Sequence, residues 1–310
     1  MMKKILISGL VVLLCVVFFY STRNSITPYL WKIKNQAAAF FSMGISVKDL
    51  VEKYKSNEDH KKIKILLVPG HEPNFGGSEY GMLKERDLNL LISEKIKGIL
   101  GENKKFEIIT SRNFNGWNSD LEKYVNSNRD GILSWVKSMK DEMFKLVDSG
   151  KFNIVNAKMG HSTAPLNSAV FLYGINKWSA DNKIDIAIHL HFNDNPKYKG
   201  KPNYEGFSIY VPEKQYSNST SSKILANDLK DEISKVQKVS TMKEESAGVI
   251  EDQELIALGS YNTSDSLSVL IEYAYIYEDF MQNPVLRNNF IERAAFFTSQ
   301  AVEEFFESRI

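Results

Sequence analysis

Hydrophobic and polar positions along this chain follow three patterns, and each predicts a different kind of element. The first is an unbroken apolar run, Ile5–Tyr20, behind Lys3 and Lys4. It is slightly short of the ~20 residues that cross a bilayer as a helix. It is also slightly long for the apolar region of a cleaved signal, and no small-x-small cleavage pattern follows in Ser21-Thr22-Arg23. Residues 1–22 are therefore read as an uncleaved signal anchor, a single-pass membrane helix with its lysines in the cytoplasm and the body extracytoplasmic. Residues 23–61 carry scattered apolar positions and one short helix, Val47–Lys55, and read as a stalk.

The second pattern is strand-like. Apolar or alternating runs occur at Lys64–Val68, Phe106–Thr110, Ile184–His191, Gly206–Val211 and Leu267–Ala274. In Ile184–His191 the alternation is strict: Ile184, Ile186, Ile188 and Leu190 share one face, while Asp185, Ala187, His189 and His191 share the other. The third pattern is helical spacing. Leu88, Leu91, Ile92, Ile96, Ile99 and Leu100 recur on one stripe, ended by Gly101. Further helices are predicted over residues 170–180, Ser222–Val236 and Pro284–Phe306. Strands alternating with helices predict an α/β domain over residues 62–310. It should have a mostly parallel twisted sheet with helices on both faces, a phosphorylase/hydrolase-like arrangement. Residues 113–165 break the rhythm. A stripe of Ile132, Leu133, Val136, Met139, Met143, Phe144 and Val147 predicts a long helix ended by Gly150, followed by a weakly patterned stretch holding His161. This segment reads as an insertion near the site, and Gln237–Ser266 reads as a loop.

Composition narrows the field. At 310 residues and 43% hydrophobic, the chain can bury one full core with appendages. Its 39 Lys+Arg balance 38 Asp+Glu, which argues against nucleic-acid binding by bulk charge. Cys15, the single cysteine, lies inside the apolar run, so the body can hold neither a disulfide framework nor a thiolate metal site. That usage suits an exported protein.

Candidate chemistry collects at predicted strand ends. The stretch Leu66–Asn89 runs from a strand through Pro69-Gly70 to His71, then a glycine-rich loop, then Glu85 at the start of a helix. Ligands in open α/β sheets gather at that edge. His191 ends another strand and Glu272 lies on a third. Two imidazoles and a carboxylate, His71, His191 and Glu85, are the donor set of a His2Glu zinc site, which leaves a position for water. Glu272, the acidic residue of its strand, could move that water's proton. On residue types alone, each of the five histidines could equally be a satisfied polar side chain at a strand end.

The motifs add a resemblance. Val68-Pro69-Gly70-His71-Glu72-Pro73, Glu85-Arg86-Asp87-Leu88-Asn89-Leu90, His189-Leu190-His191-Phe192-Asn193 and Ile271-Glu272-Tyr273-Ala274-Tyr275 follow one another as the four motifs of a known family do. The chain resembles the zinc-dependent N-acetylmuramoyl-L-alanine amidases of the amidase-3 family, which hydrolyse bacterial cell-wall peptidoglycan. The resemblance covers about residues 64–310 outside the insertion. It implies one zinc ion held by His71, Glu85 and His191, with Glu272 as general base. It implies peptidoglycan as substrate, cut between N-acetylmuramic acid and the L-alanine of the stem peptide.

Departures mark this chain. Glu72-Pro73 replaces a glycine pair, Ala274 replaces a glycine, and His189 stands where the family has serine. Glu72 and His189 are thus candidates for contacts just outside the metal ligands. By analogy with self-inhibited relatives, the insertion could cover the metal through Glu142 or His161 until an activator protein moves it. The competing functions are a zinc peptidase acting on stem peptides and a non-catalytic peptidoglycan-binding protein.

Overall fold

The computed structural model describes residues 45–56, 62–157, 164–194 and 204–310, which fall in one compact unit spanning Gly44–Ile310. The apolar run Ile5–Tyr20 and His161 lie outside the described residues. Among those described, no helix is long and apolar enough to cross a membrane.

Helix α1 (Val47–Lys55) comes first, capped by the Ser46 hydroxyl, which accepts from the Asp49 N–H. Strand β1 (Ile63–Pro69) follows, then a short hairpin of β2 (Glu79–Tyr80) and β3 (Leu83–Lys84), and helix α2 (Glu85–Leu100). Strand β4 (Phe106–Thr110) leads into a second hairpin, β5 (Arg112–Asn113) and β6 (Gly116–Trp117). Helix α3 (Ser119–Ser127) comes next, and α4 (Arg129–Asp148) is the long helix that the stripe Ile132–Val147 predicts. Helix α5 (Leu166–Asp181), strand β7 (Ile186–Asn193), strand β8 (Ser208–Pro212), helix α6 (Ser219–Ile233) and strand β9 (Val249–Asp252) come next. Strand β10 (Leu267–Tyr275), the single turn α7 (Asp279–Gln282) and helix α8 (Pro284–Glu307) complete the order.

Six strands form the central sheet in the order β4-β1-β7-β10-β8-β9. All neighbours are parallel except β8 against β10. The mostly parallel α/β reading therefore holds, with two reversed strands, β8 and β9, at one edge. Strand β9 lies inside the segment that reads as a loop. It offers only Val249 and Ile250 as apolar positions, too short a run to display a period.

Alternation along the strands builds two cores. On one face Ile63, Ile65, Leu67, Ile186, Ile188, Leu190, Val269 and Ile271 pack with α2, α6 and α8, including Phe305 and Phe306. Each such side chain contributes roughly 1.5–3 kcal/mol on burial. Helix α1 joins this face through Leu50, Val51 and Tyr54, with Tyr54 stacked on Phe306 at 4.6 Å. Lys53 pairs with Asp185 at 2.5 Å. This part of the expected stalk is thus a component of the body. On the opposite face, Leu66 and Val68 pack with Leu121, Val125, Ile132, Val170, Ile175 and Trp178. Residues 113–165 therefore supply two helices to the layer over this face. The same face carries His189 and His191.

Candidate metal centre

The centre forms where β1 and β7 end and α2 begins. The Gly70 N–H donates to the Leu190 carbonyl at 2.9 Å, which ties the turn after β1 to β7. Arg112, only 2% exposed, grips the same turn: its Nε donates to the Pro69 carbonyl at 3.1 Å, and its Nη2 to the carbonyls of Gly70 and Arg86, each at 2.7 Å. Burial pushes this guanidinium down to about 10, with the Asp87 charge opposing the shift. Asn89 adds a side-chain N–H to the Gly70 carbonyl at 3.3 Å. The turn holds His71 at φ 68°, a left-handed conformation costly for a side-chain-bearing residue.

Two glycines make room for the rings. A Cβ on Gly70 would lie 2.2 Å from the His191 ring, and one on Gly77 would lie 2.7 Å from His71 Cδ2. Gly77 itself sits at φ 81°, where glycine carries no steric penalty.

Glu85, the first residue of α2, is buried between the rings. Its Oε2 accepts from the Ser78 N–H at 2.9 Å. Its Oε1 lies 2.8 Å from His71 Nε2 and 3.0 Å from His191 Nδ1. One donor atom from each of these three residues lies within 4.8 Å of the other two. The structure thus brings together the three sequence-predicted ligands, although His71 and His191 are far apart in the chain. Burial pushes the Glu85 carboxyl up, but the His191 hydrogen bond and the closeness of His71 outweigh it and hold the group well below the usual carboxylate range. Burial likewise pushes the His191 imidazole down, with Glu85 pulling the other way. The set is an anionic carboxylate and two imidazoles, the forms that ligate a metal.

The donors fit a divalent ion. His71 Nε2 is buried and, close as Oε1 lies, makes no hydrogen bond among the described residues. A ring nitrogen left in this state beside a carboxylate oxygen costs free energy that a metal would relieve. Two imidazoles and one carboxylate match zinc's preferred ligand types.

Glu272 lies beside this set and outside it. On β10 it registers directly against His191. Its Oε2 is buried with no hydrogen-bond partner among the described residues. Burial pushes its carboxyl well above the usual range, and the charges of Glu85 and Glu245 add to the shift. Glu245 is fully buried and accepts from Tyr210 Oη at 2.7 Å, Tyr275 Oη at 2.7 Å and Asn193 Nδ2 at 2.9 Å. It therefore joins the ends of β7 and β10 to the middle of β8. Neither Glu245 nor Arg112 stands out in the sequence: one lies in an aperiodic segment, and the other looks like an ordinary strand-end cation.

The remaining candidates take other places. His189 is buried one strand repeat before His191, with Nε2 unpartnered among the described residues, and it lines the cleft beside the ligands. Burial pushes it down to about 3, opposed by an interaction with the Ala257 backbone. Glu72 is half-buried and accepts from the Ser168 hydroxyl near the start of α5. Glu142 does not join the donors; it pairs with Lys145 on α4 at 2.7 Å. Its neighbours Met143 and Phe144 instead wall a cleft of about 1120 Å³ that contains His71, His189 and His191.

Residues 145–295 match the model of the Amidase_3 family, described as N-acetylmuramoyl-L-alanine amidase. The match takes in His191 and Glu272, while His71 and Glu85 precede it and stand on the geometry. No curated protein matches the chain in sequence. Among solved structures, the CwlD amidase from Clostridioides difficile, solved in complex with the GerS lipoprotein, superposes with a TM-score of 0.51 at 15% identity, over 80% of this chain and 100% of that one. The N-acetylmuramyl-L-alanine amidase Ami1 from Mycobacterium smegmatis gives 0.50 at 13% identity, over 79% and 97%. At these identities the likeness is one of fold. The chain is thus similar to the N-acetylmuramoyl-L-alanine amidases of the amidase-3 family, in sequence over residues 145–295 and in fold over most of the body.

Proposed function

We propose that the centre holds one zinc ion through His71 Nε2, Glu85 Oε1 and His191 Nδ1, and that Glu272 carries the proton in amide hydrolysis. The observation behind this reading is the convergence of those three donors beside a Glu272 oxygen unpartnered among the described residues. When bound, zinc supplies Lewis acidity that polarises the scissile carbonyl and lowers the pKa of a water to about 7. Glu272 takes the attacking water's proton at Oε2 as the water oxygen bonds to the carbonyl carbon. It then delivers that proton to the departing L-alanine nitrogen as the C–N bond breaks. A carboxyl with a raised pKa accepts and returns a proton more readily near neutral pH than an ordinary one. His189 offers its Nε2 to bound substrate, and Glu72 braces the loop after His71 against α5.

The test is peptide release from purified peptidoglycan by the zinc-loaded protein. Release should stop in Glu272→Gln, and product masses should place the cut between N-acetylmuramic acid and L-alanine. Equal release by both proteins would end the assignment of Glu272. Masses showing a cut within the stem would make the chain a peptidase.

The same proposal places the chain at the cell membrane, anchored by Ile5–Tyr20 with the domain extracytoplasmic, on the strength of Lys3 and Lys4 before that run. It includes a protein activator, by extension from CwlD in its complex with GerS. Helix α4 and residues 151–157 flank the cleft and are the elements such a partner would meet. Deleting residues 125–165 cannot test autoinhibition, because Val125 and Ile132 belong to the core. Substitutions at Met143 and Phe144 can.

A further inference from the structure

A second groove of about 350 Å³ opens beside the cleft over the metal centre. Glu72, Asn74 and Phe75 from the loop after His71 form one side; Asn115, Trp117 and Glu122 form the other. Glu72, Phe75 and Trp117 line both depressions, so they form the ridge between them. That ridge starts one residue from His71.

The groove is held in place relative to the ligands. Trp117 stacks on Phe171 of α5 at 4.0 Å and 24° between planes. It pairs across the β5–β6 hairpin with Arg112, the residue that grips the turn before His71. Glu72 is anchored by Ser168. A ligand seated in the groove would therefore be registered against the metal centre.

The two depressions differ in chemistry. The wall of the larger one is largely apolar, with Met143, Phe144, Ile154, Leu172 and Ile256. The smaller one presents two carboxylates, two carboxamides and two aromatic rings and, among the described residues, no lysine or arginine. An anionic ligand would find no cation there. A neutral polyhydroxylated ligand finds what it needs: ring faces for its C–H surface and planar polar groups for its hydroxyls. The substrate of this family branches at the scissile amide, with a sugar chain on one side and a peptide on the other.

We propose that the second groove is a saccharide subsite. It takes the sugars that flank the scissile N-acetylmuramic acid, while the apolar cleft takes the stem peptide. This rests on the amidase reading above.

The experiment uses the zinc-loaded wild-type protein with Trp117→Ala and Asn115→Ala. Asn115 is exposed at the hairpin tip, so its variant keeps the fold should loss of Trp117 disturb it. Calorimetry with an N-acetylglucosamine tetrasaccharide should show binding that each variant weakens by about ten-fold, the size of one good contact. KM for peptidoglycan should rise by a similar factor while kcat stays within about two-fold, as for lost uniform binding. Hydrolysis of a muramoyl dipeptide without flanking sugars should be unchanged in Asn115→Ala, because Asn115 does not line the larger cleft. Equal tetrasaccharide affinity and KM in all three folded proteins would overturn the subsite, as would equal losses on both substrates in Asn115→Ala, or binding of a cationic peptide there instead of the sugar. The calorimetric arm needs no turnover. A wild type that binds the tetrasaccharide through Trp117 but releases no peptide would overturn the amidase reading and leave the subsite standing.

Discussion

Gly77 shows how tightly the centre is specified at the scale of single residues. Alanine there would be strained at φ 81° and would press its Cβ on the His71 ring. The strain should cost about 1 kcal/mol of stability, and the displaced ring should weaken zinc binding about ten-fold or more, as loss of an orienting contact does. Competition against a chelator measures this; an unchanged affinity would show that His71 does not need this clearance. Glu272 yields a prediction about pH. Its carboxyl lies above its unfolded value, so the folded metal-free protein resists ionising it. Stability contributed by keeping the proton is complete below the ordinary carboxyl range, near pH 4, and is lost as pH rises toward the raised folded value. Metal-free Glu272→Gln should therefore melt above the metal-free wild type at neutral pH, and the difference should close in acid. Glu245→Gln should go the other way, by roughly 1–3 kcal/mol, because an amide cannot accept from Tyr210, Tyr275 and Asn193 together. The contrast also shows what the sequence made legible. His71, Glu85, His191 and Glu272 stand in short motifs at strand and helix ends, where residue type and position suggest a role. Arg112 and Glu245 act on groups distant in the chain, through main-chain carbonyls and tyrosine hydroxyls that carry no pattern.

Elements were legible where they were long and periodic, as with α2, α8, β7 and β10. Short ones were not: β9 has too few apolar residues to show a period, and its pairing with β8 supplies the missing signal. Helix α1 is an instructive intermediate. Its existence follows from the sequence over Val47–Lys55, but its partners do not, since Leu50, Val51 and Tyr54 meet residues from the far end of the chain. A protein begun at residue 61, where the sequence reading ends the stalk, would lose those three buried side chains at roughly 1.5–3 kcal/mol each. It would also leave Asp185 without Lys53. Chemical denaturation should find residues 61–310 several kcal/mol less stable than residues 44–310, by the same arithmetic. Matching midpoints and slopes would show that α1 only rests on the body. The reading of residues 113–165 as an insertion has a similar origin. A second amphipathic layer on α5 disturbs the strand–helix rhythm without announcing that it is core.

For the molecule as a whole, the centre is a clasp that adds helix α2 to two strands the sheet already pairs. His71 follows β1, His191 ends β7, and Glu85 begins α2, so an ion shared among them links three pieces of chain at one edge. The fold does not depend on that link. Both cores lie on the sheet faces, and the turn before His71 is held by Arg112, Asn89 and the Leu190 carbonyl. Metal removal should consequently lower the melting temperature and leave the far-UV circular dichroism unchanged, unlike small domains whose folding requires zinc. Restoring zinc to 1,000 times its dissociation constant should return about 4 kcal/mol. Glu85→Gln keeps the shape of the side chain but removes its charge, so most of that gain should vanish. The metal-free variant should also be less stable than the metal-free wild type at neutral pH, because it loses the carboxylate that His191 and His71 hold ionised. A zinc-dependent rise of equal size in wild type and Glu85→Gln would place the ion elsewhere on the protein. Absence of any rise in the wild type would mean that the three donors, close as they are, serve each other and not a metal.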